Sequence, residues 1–405
     1  SYGLRRPDRP IDWGTASIMY TIVRCRLATR TRLVSDSWIS ITGSRISATG
    51  TMKQGVPEDG EVYDAGGGIV APGFIDMHIH GYGGRSFDSE DEADLRAGSV
   101  ALAQHGVTSF LATLPALSRR RTEAALEAIR RVMIAPESDG ARILGAHLEG
   151  PYLGPERPGA QDTSAIRPVD LAEVRDWLQY DSRLVRMMTF APELAGSDDL
   201  IRLLSRYGVI PAIGHTVASY ERTMAAIDAG AWYCIHTFNG MKPFHHRDPG
   251  PIAAVLSREH VHCEIIADGV HNHIGALRLL VRAKGCDRTL LVSDAIALAG
   301  SEQASGTIAR SKVEVRGDAA QLGNGTLAGG VRALDHGLRV AVQALEEEGL
   351  PKVLRTVSQN QARVLGHENQ LGGLAPGMAA DLVVLDRGLK VRHVVLRGRP
   401  VHIEG

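Results

Sequence analysis

Between residues 73 and 365 the chain alternates short apolar runs with stretches of helical period. The runs are Phe74–Ile79, Val107–Leu114, Ile143–Leu148, Leu184–Phe190, Val209–Ile213, Trp232–Ile235, Cys263–Ala267 and Leu290–Ser293. Each has the length of a strand, not of a buried helix. Between them Arg119–Met133 sets Ala124, Leu126 and Ile129 among charges, and Ser219–Ala229 and Ala276–Ala283 also read as helices. Helices resume at Leu334–Glu348 and Pro351–Leu365. Continuous apolar strands alternating with helices predict a parallel sheet covered on both faces. Eight such units fit an α/β fold of the (β/α)8 type, a TIM-like barrel; a doubly wound open sheet is the alternative. Residues 295–330 are polar and Gly-rich and predict a long loop or hairpin after the last strand.

Both ends of the chain are β-rich. Met19–Val23, Trp38–Ile41 and Ile69–Val70 near the start, and Asp381–Leu385 and Val391–Leu396 near the end, are separated by glycines that mark expected turns. Two similar ends around a different middle predict three parts. Residues 1–18, polar and charged with no apolar core, form an N-terminal extension and not a signal peptide. Residues 19–72 and 376–405 form a small β-sandwich from both termini, and residues 73–375 form the catalytic barrel.

Composition narrows the function. Of 405 residues, 44% are hydrophobic and 22% charged, an ordinary globular mixture. A formal net charge of −1 argues against a nucleic-acid partner, and the short run Arg119-Arg120-Arg121 reads as solvated surface. No apolar run nears the ~18 residues that span a bilayer, so no membrane role is expected. The four cysteines are scattered, which points to a reducing, cytoplasmic setting.

Chemistry lies where the apolar runs end. The first ends in Asp76-Met-His78-Ile-His80, the third in His147-Leu-Glu149, the fifth in Gly214-His215. The sixth runs into His236, the seventh leads to Asp268-Gly-Val-His271, and the eighth ends in Ser293-Asp294. Barrel active sites are built at these C-terminal strand ends. His78 and His80, two apart on a strand, share one face and suit one metal ion. Glu149 closing an apolar strand needs a partner or a cation. With His215 and His236 it forms a Glu/His/His set of the kind that leaves a catalytic metal an open position. Asp294 is placed to shuttle a proton between water and a leaving group. Arg247, Asn239 and the Gly240 amide offer donors to an anion. No GxxxxGK[ST] or GxSxG motif is present, which leaves P-loop and serine-hydrolase chemistry unsupported.

These stretches resemble the amidohydrolase superfamily and, within it, the N-acetylglucosamine-6-phosphate deacetylase family. The resemblance rests on Ala71–Gly81, Gly145-Ala-His-Leu-Glu-Gly-Pro-Tyr152, Ala212–Thr216 and His236-Thr-Phe-Asn-Gly-Met241. It continues through Arg247–Gly250, Ile266-Ala-Asp-Gly-Val-His271, Leu291–Ala295 and Leu374–Leu385. It implies hydrolysis of the acetamide of N-acetylglucosamine 6-phosphate to glucosamine 6-phosphate and acetate. It further implies a divalent metal, one or two ions, zinc ahead of iron, manganese, cobalt or nickel. By position Glu149, His215 and His236 match the principal ligands, while His78 and His80 with Asp294 match the holders of a second ion. Asp294 also matches the catalytic acid/base. Arg247 and His271 match phosphate-binding positions, with Asn239 and Gly240 beside them, and a homodimer is implied in which Arg247 reaches the neighbouring subunit's site. Four positions depart from the family pattern: Gln161 replaces a His that polarises the amide carbonyl, Gly240 an Ala, Ser293 a Thr and Gly330 a Ser. Gln161 still donates a hydrogen bond but carries no charge, which leaves another N-acyl amino sugar as the alternative substrate. A non-catalytic amidohydrolase-like scaffold is the alternative from a different class.

Overall fold

Parallel strands alternate with helices from residue 74 to residue 292 in the computed structural model. The structure describes residues 19–401 apart from 58–59, 136–138, 182 and 310. The extension expected at 1–18 lies outside the described residues. The strands are β1 (Phe74–Ile79), β2 (Val107–Leu114), β3 (Arg142–Glu149), β4 (Val185–Phe190), β5 (Ile210–Ile213), β6 (Tyr233–Cys234), β7 (His262–Ile266) and β8 (Thr289–Val292). They pair in parallel in sequence order within one sheet. Ile75, Met77, Leu111, Leu144, Met187, Tyr233 and Leu290 share one buried cluster, and Leu365 and Leu371 join it. The larger core packs strand residues such as Phe110, Ile143, Ile213 and Ile265 against helix residues such as Leu126, Leu204 and Leu277.

Strands β8 and β1 meet at a seam with two halves. At the C-terminal end the backbones pair directly: Asp294 donates to the His78 carbonyl at 2.9 Å and His80 to the Ala295 carbonyl at 2.8 Å. Toward the other end Leu291 N donates to Thr356 O and Ile75 N to Val357 O, both at 2.8 Å. Residues 356–358 therefore leave the helix expected over Pro351–Leu365. It is observed as two short helices, Leu350–Arg355 and Gln359–Val364. No proline or glycine breaks it there; the barrel seam takes the backbone groups that a continuous helix would have used.

Strands from both termini form a second sheet of eight strands. Ile69–Pro72 pairs with Leu382–Leu385 on one side and with Met19–Ala28 on the other, which joins the two ends of the chain. A bridge between Arg45 and Ala379 draws the far strand, Arg45–Thr51, toward the segment before Leu382. The sheet thereby curls over its own apolar core of Ile22, Ile39, Ile41, Ile46, Leu382 and Val395. Residues 295–330 are more ordered than a loop or single hairpin. Ser305–Ile308, Ser311–Arg316 and Ala319–Leu322 form a three-stranded antiparallel sheet whose Val313 and Ala320 pack on Ile296 and Leu298. Among the described residues no helix is long and apolar enough to cross a membrane.

Candidate active site

The loops beyond the C-terminal strand ends enclose a cavity of about 250 Å³ lined by His80, Glu149, Gln161, His215, His236, Asn239, Gly240, His271 and Asp294. Ile308 and Thr326–Gly329 complete its wall from the three-stranded insertion, which the sequence reading left without a role.

Glu149 is the centre of the arrangement. Its Oε1 lies 2.9 Å from His215 Nε2, 3.0 Å from His236 Nε2 and 3.5 Å from His78 Nε2. Its Oε2 lies 3.1 Å from His80 Nε2 and accepts from Gln161 Nε2 at 2.6 Å. Asp294 Oδ1 faces His78 Nε2 at 3.5 Å and His80 Nε2 at 3.3 Å. Two groups of side chains, His78 with His80 and Asp294, and His78 with Glu149 and His236, bring their ligand atoms within reach of a common metal ion. The structure thus brings together every residue expected to bind metal.

The far sides of the rings test whether a cation fits. His215 Nδ1 meets the Arg157 carbonyl at 2.8 Å and His80 Nδ1 the Thr113 carbonyl at 3.2 Å. Carbonyl oxygens only accept, so these Nδ1 atoms carry hydrogens, and in the neutral form the rings turn their Nε2 lone pairs inward. Those lone pairs face carboxylate oxygens. His78 Nε2 is buried without a hydrogen-bond partner among the described residues. Four imidazoles turned upon the Glu149 and Asp294 carboxylates are stable as neutral rings only around a cation, and N/O donors of this kind suit a divalent metal ion.

Without a cation, the rings and carboxylates instead stabilise one another's charge. Burial raises the Glu149 carboxyl, but charge on His78 and hydrogen bonds from His215 and His236 outweigh it and hold its pKa well below the usual range. Burial likewise opposes ionisation of Asp294, yet His78 and His80 bring it down to about 2. Desolvation disfavours charge on His80, but Asp294 and Glu149 push its pKa up to about 9. His147 belongs elsewhere: it bonds Thr189 Oγ1 at 2.8 Å, and burial with the neighbouring rings pushes it well below its ordinary value.

Local backbone strain fits a site that was selected for position. His215, His236 and Asp294 all occupy left-handed conformations, with φ of 46°, 20° and 48°. Such residues cost about 1–3 kcal/mol each and persist only where their surroundings over-determine them. Asp294 is held on both sides, since Gly330 donates to its carbonyl at 2.7 Å. A Cβ at Gly330 would sit 2.4 Å from the Ser293 carbonyl oxygen.

The substrate-side residues divide. His271 is fixed by Asp268, Nδ1 to Oδ2 at 2.7 Å. Burial opposes its charge, but Asp268 raises its pKa. Asn239 Nδ2 donates to the His271 carbonyl at 3.2 Å. Gln161 is engaged twice, since its Oε1 accepts from the Ala116 amide at 2.7 Å while its Nε2 holds Glu149. Arg247 is the residue not brought in. It is exposed, does not line the cavity of its own chain, and sets its Nη1 2.9 Å from His246 Nε2. Glu264 was missed: its carboxylate meets His78 Nδ1 at 2.9 Å. The signal was a lone charge inside the apolar run Cys263–Ala267.

A barrel whose strand ends hold an inward-facing cluster of this composition fits a hydrolase that could bind a metal, and the amidohydrolase family profile matches residues 69–401. The chain belongs to the amidohydrolase family. Within that family it is 34% identical over 375 residues to the N-acetylglucosamine-6-phosphate deacetylase of Bacillus subtilis, covering 92% of this chain and 94% of that one. It is 32% identical to an N-acetylgalactosamine-6-phosphate deacetylase of Escherichia coli O157:H7, covering 92% of this chain and 98% of that one. The crystal structure of the N-acetylglucosamine-6-phosphate deacetylase from Pasteurella multocida superposes with a TM-score of 0.89 at 28% identity, covering 95% of this chain and all of that one.

Proposed function

We propose that this chain hydrolyses the acetamide of N-acetylglucosamine 6-phosphate to glucosamine 6-phosphate and acetate. The observation that carries the reading is the convergence of four imidazoles on Glu149 and Asp294 at the cavity floor. Identity of 34% across 92% of the chain to a deacetylase of that name supports it. The barrel at 73–375 carries the chemistry, and the sandwich built from 19–72 and 376–405 supports it.

Glu149, His215 and His236 hold the principal divalent ion, with His78, His80 and Asp294 available to a second; zinc is the proposed metal. Bound there, the cation supplies a Lewis acid for the amide carbonyl and lowers the pKa of water toward ~7. Asp294 takes one proton from the attacking water. It delivers that proton to the sugar nitrogen as the C–N bond breaks, so the water oxygen ends in acetate and the nitrogen leaves as an amine. The second Nε2 hydrogen of Gln161 donates to the carbonyl oxygen as charge develops. His271, Asn239 and the Gly240 amide hold the distal end of the sugar phosphate, so that binding remote from the amide positions it for attack. Arg247, exposed on its own chain, serves the site of a second subunit in a cytoplasmic homodimer.

Deacetylation of another N-acyl amino sugar is the second reading. It is favoured by Gln161 and by the 32% identity to a galactosamine-phosphate deacetylase. Steady-state acetate release from both sugar 6-phosphates and from unphosphorylated N-acetylglucosamine, with protein of known metal content, separates the two. Preference for N-acetylglucosamine 6-phosphate is expected. Turnover of the galactose epimer alone would establish the second reading, and no turnover of any N-acyl sugar would sink both.

A further inference from the structure

Glu264 sits within β7 with its side chain fully buried. Three groups converge on it. Its Oε2 lies 2.9 Å from His78 Nδ1 and accepts from the His236 amide at 3.2 Å, while its Oε1 accepts from the Tyr233 hydroxyl at 2.9 Å. An unpartnered carboxylate in this position would be strongly disfavoured by the loss of its hydration. These donors offset that cost, and they come from β1, β6 and the turn that follows β6. A carboxylate only accepts, so His78 Nδ1 carries a hydrogen, and in the neutral, metal-binding form of the ring the lone pair falls on Nε2. That Nε2 is a buried atom without a hydrogen-bond partner among the described residues, 3.5 Å from both Glu149 Oε1 and Asp294 Oδ1. The same carboxylate pins the backbone of His236, whose φ of 20° a non-glycine residue rarely adopts.

We propose that Glu264 is a positioning residue for the cation: it sets the tautomer and ring orientation of His78 and the backbone of His236, so that both side chains point into the cluster. Tyr233 in turn fixes the orientation of the Glu264 carboxylate. An acidic partner behind a metal-binding imidazole also makes the ring a stronger donor. The proposal rests on the metal reading of the cluster.

The test is zinc affinity, measured by chelator competition on full-length protein without sugar, for wild type, Glu264→Gln and Tyr233→Phe. Glu264→Gln should lower affinity about 10- to 100-fold. With zinc in excess its kcat should recover, with KM for the sugar unchanged. Tyr233→Phe keeps the carboxylate and should lose about two- to tenfold. A merely structural role predicts lower melting temperatures in metal-free and zinc-loaded protein alike, with wild-type zinc affinity in the folded fraction, and that result overturns the proposal. Should Glu264→Gln fail to fold, Tyr233→Phe decides: wild-type affinity overturns the proposal and a reduced one sustains it. Because sugar plays no part in this readout, a wrong substrate leaves the proposal standing. Wild-type protein that binds no divalent cation would sink both.

Discussion

The Asp294 amide donates to the His78 carbonyl at 2.9 Å, and the Asp294 carboxylate turns back to the His78 ring, Oδ1 to Nε2 at 3.5 Å. The hydrogen bond that closes the barrel and the contact that builds the site therefore share two residues. Moving β8 relative to β1 moves the proposed proton shuttle relative to the proposed metal, which makes the seam a determinant of activity as well as of stability.

Asp294→Asn should leave zinc content near wild type if Glu149, His215 and His236 are the principal ligands. It should lower kcat by about 100- to 10,000-fold through loss of the proton carrier. Acetate release and elemental analysis of the same preparation check both halves; zinc loss equal to the activity loss would reassign Asp294 as chiefly a ligand.

Gln161→Ala removes the partner of the Ala116 amide and one partner of Glu149 Oε2. Leaving buried polar groups unpaired costs about 1–3 kcal/mol, which a urea unfolding midpoint should register. Its kcat should also fall as the Gln161 donor is lost. A fall in KM performance alone, at full stability, would contradict the double tether.

The Asp268–His271 pair predicts a pH window. His271 is raised above 6.5, so its contribution is complete below pH 6.5 and fades as pH rises through the raised value. Asp268 is lowered below 3.8, against burial and chiefly by the His271 hydrogen bond, so its contribution is complete above pH 3.8 and fades as pH falls through the lowered value. Asp268→Asn retains an oxygen for the Val270 and His271 amides but loses the ion pair. Its destabilisation, about 1.5–3 kcal/mol, should be greatest between pH 3.8 and 6.5 and shrink toward pH 9. Unfolding curves across that range measure it, and a penalty that grows with pH would refute the assignment.

Metal removal should lower the melting temperature as well as abolish turnover, because the imidazoles and carboxylates that hold the proposed metal lose their partner. Zinc restored at about 100 times its Kd should return ~2.7 kcal/mol. Scanning calorimetry of stripped and reloaded protein tests this, and identical melting curves would argue against a resident ion.

Arg247→Ala should leave folding within about 0.5 kcal/mol, as expected for an exposed side chain. It should raise KM for the phosphorylated sugar and spare the unphosphorylated one. Hybrids of Arg247→Ala with Glu149→Ala chains would regain half-site activity if the arginine acts across subunits, and none if it serves its own chain.

The strand runs of the barrel were legible because a parallel sheet buried on both faces writes itself as continuous apolar residues. The six residues of the cluster were legible because they sit where those runs stop. That much the sequence by itself determined: local composition and period report directly on burial and on strand ends. The rest was decided by tertiary contacts between residues distant in the chain. The helix over 350–364 breaks because β8 and β1 need the carbonyls of Thr356 and Val357, and helical period carries no record of that demand. Residues 295–330 become a sheet because Val313 and Ala320 find Ile296 and Leu298 to cover. Glu264 acquires its meaning only when β7 packs beside β6 and across from β1. Gln161 and Arg247 looked alike as polar donors, yet one is buried against Glu149 and the other is exposed beside His246. The position of a side chain in space depends on which strands close the barrel and where each loop returns, and both follow from packing of the whole chain.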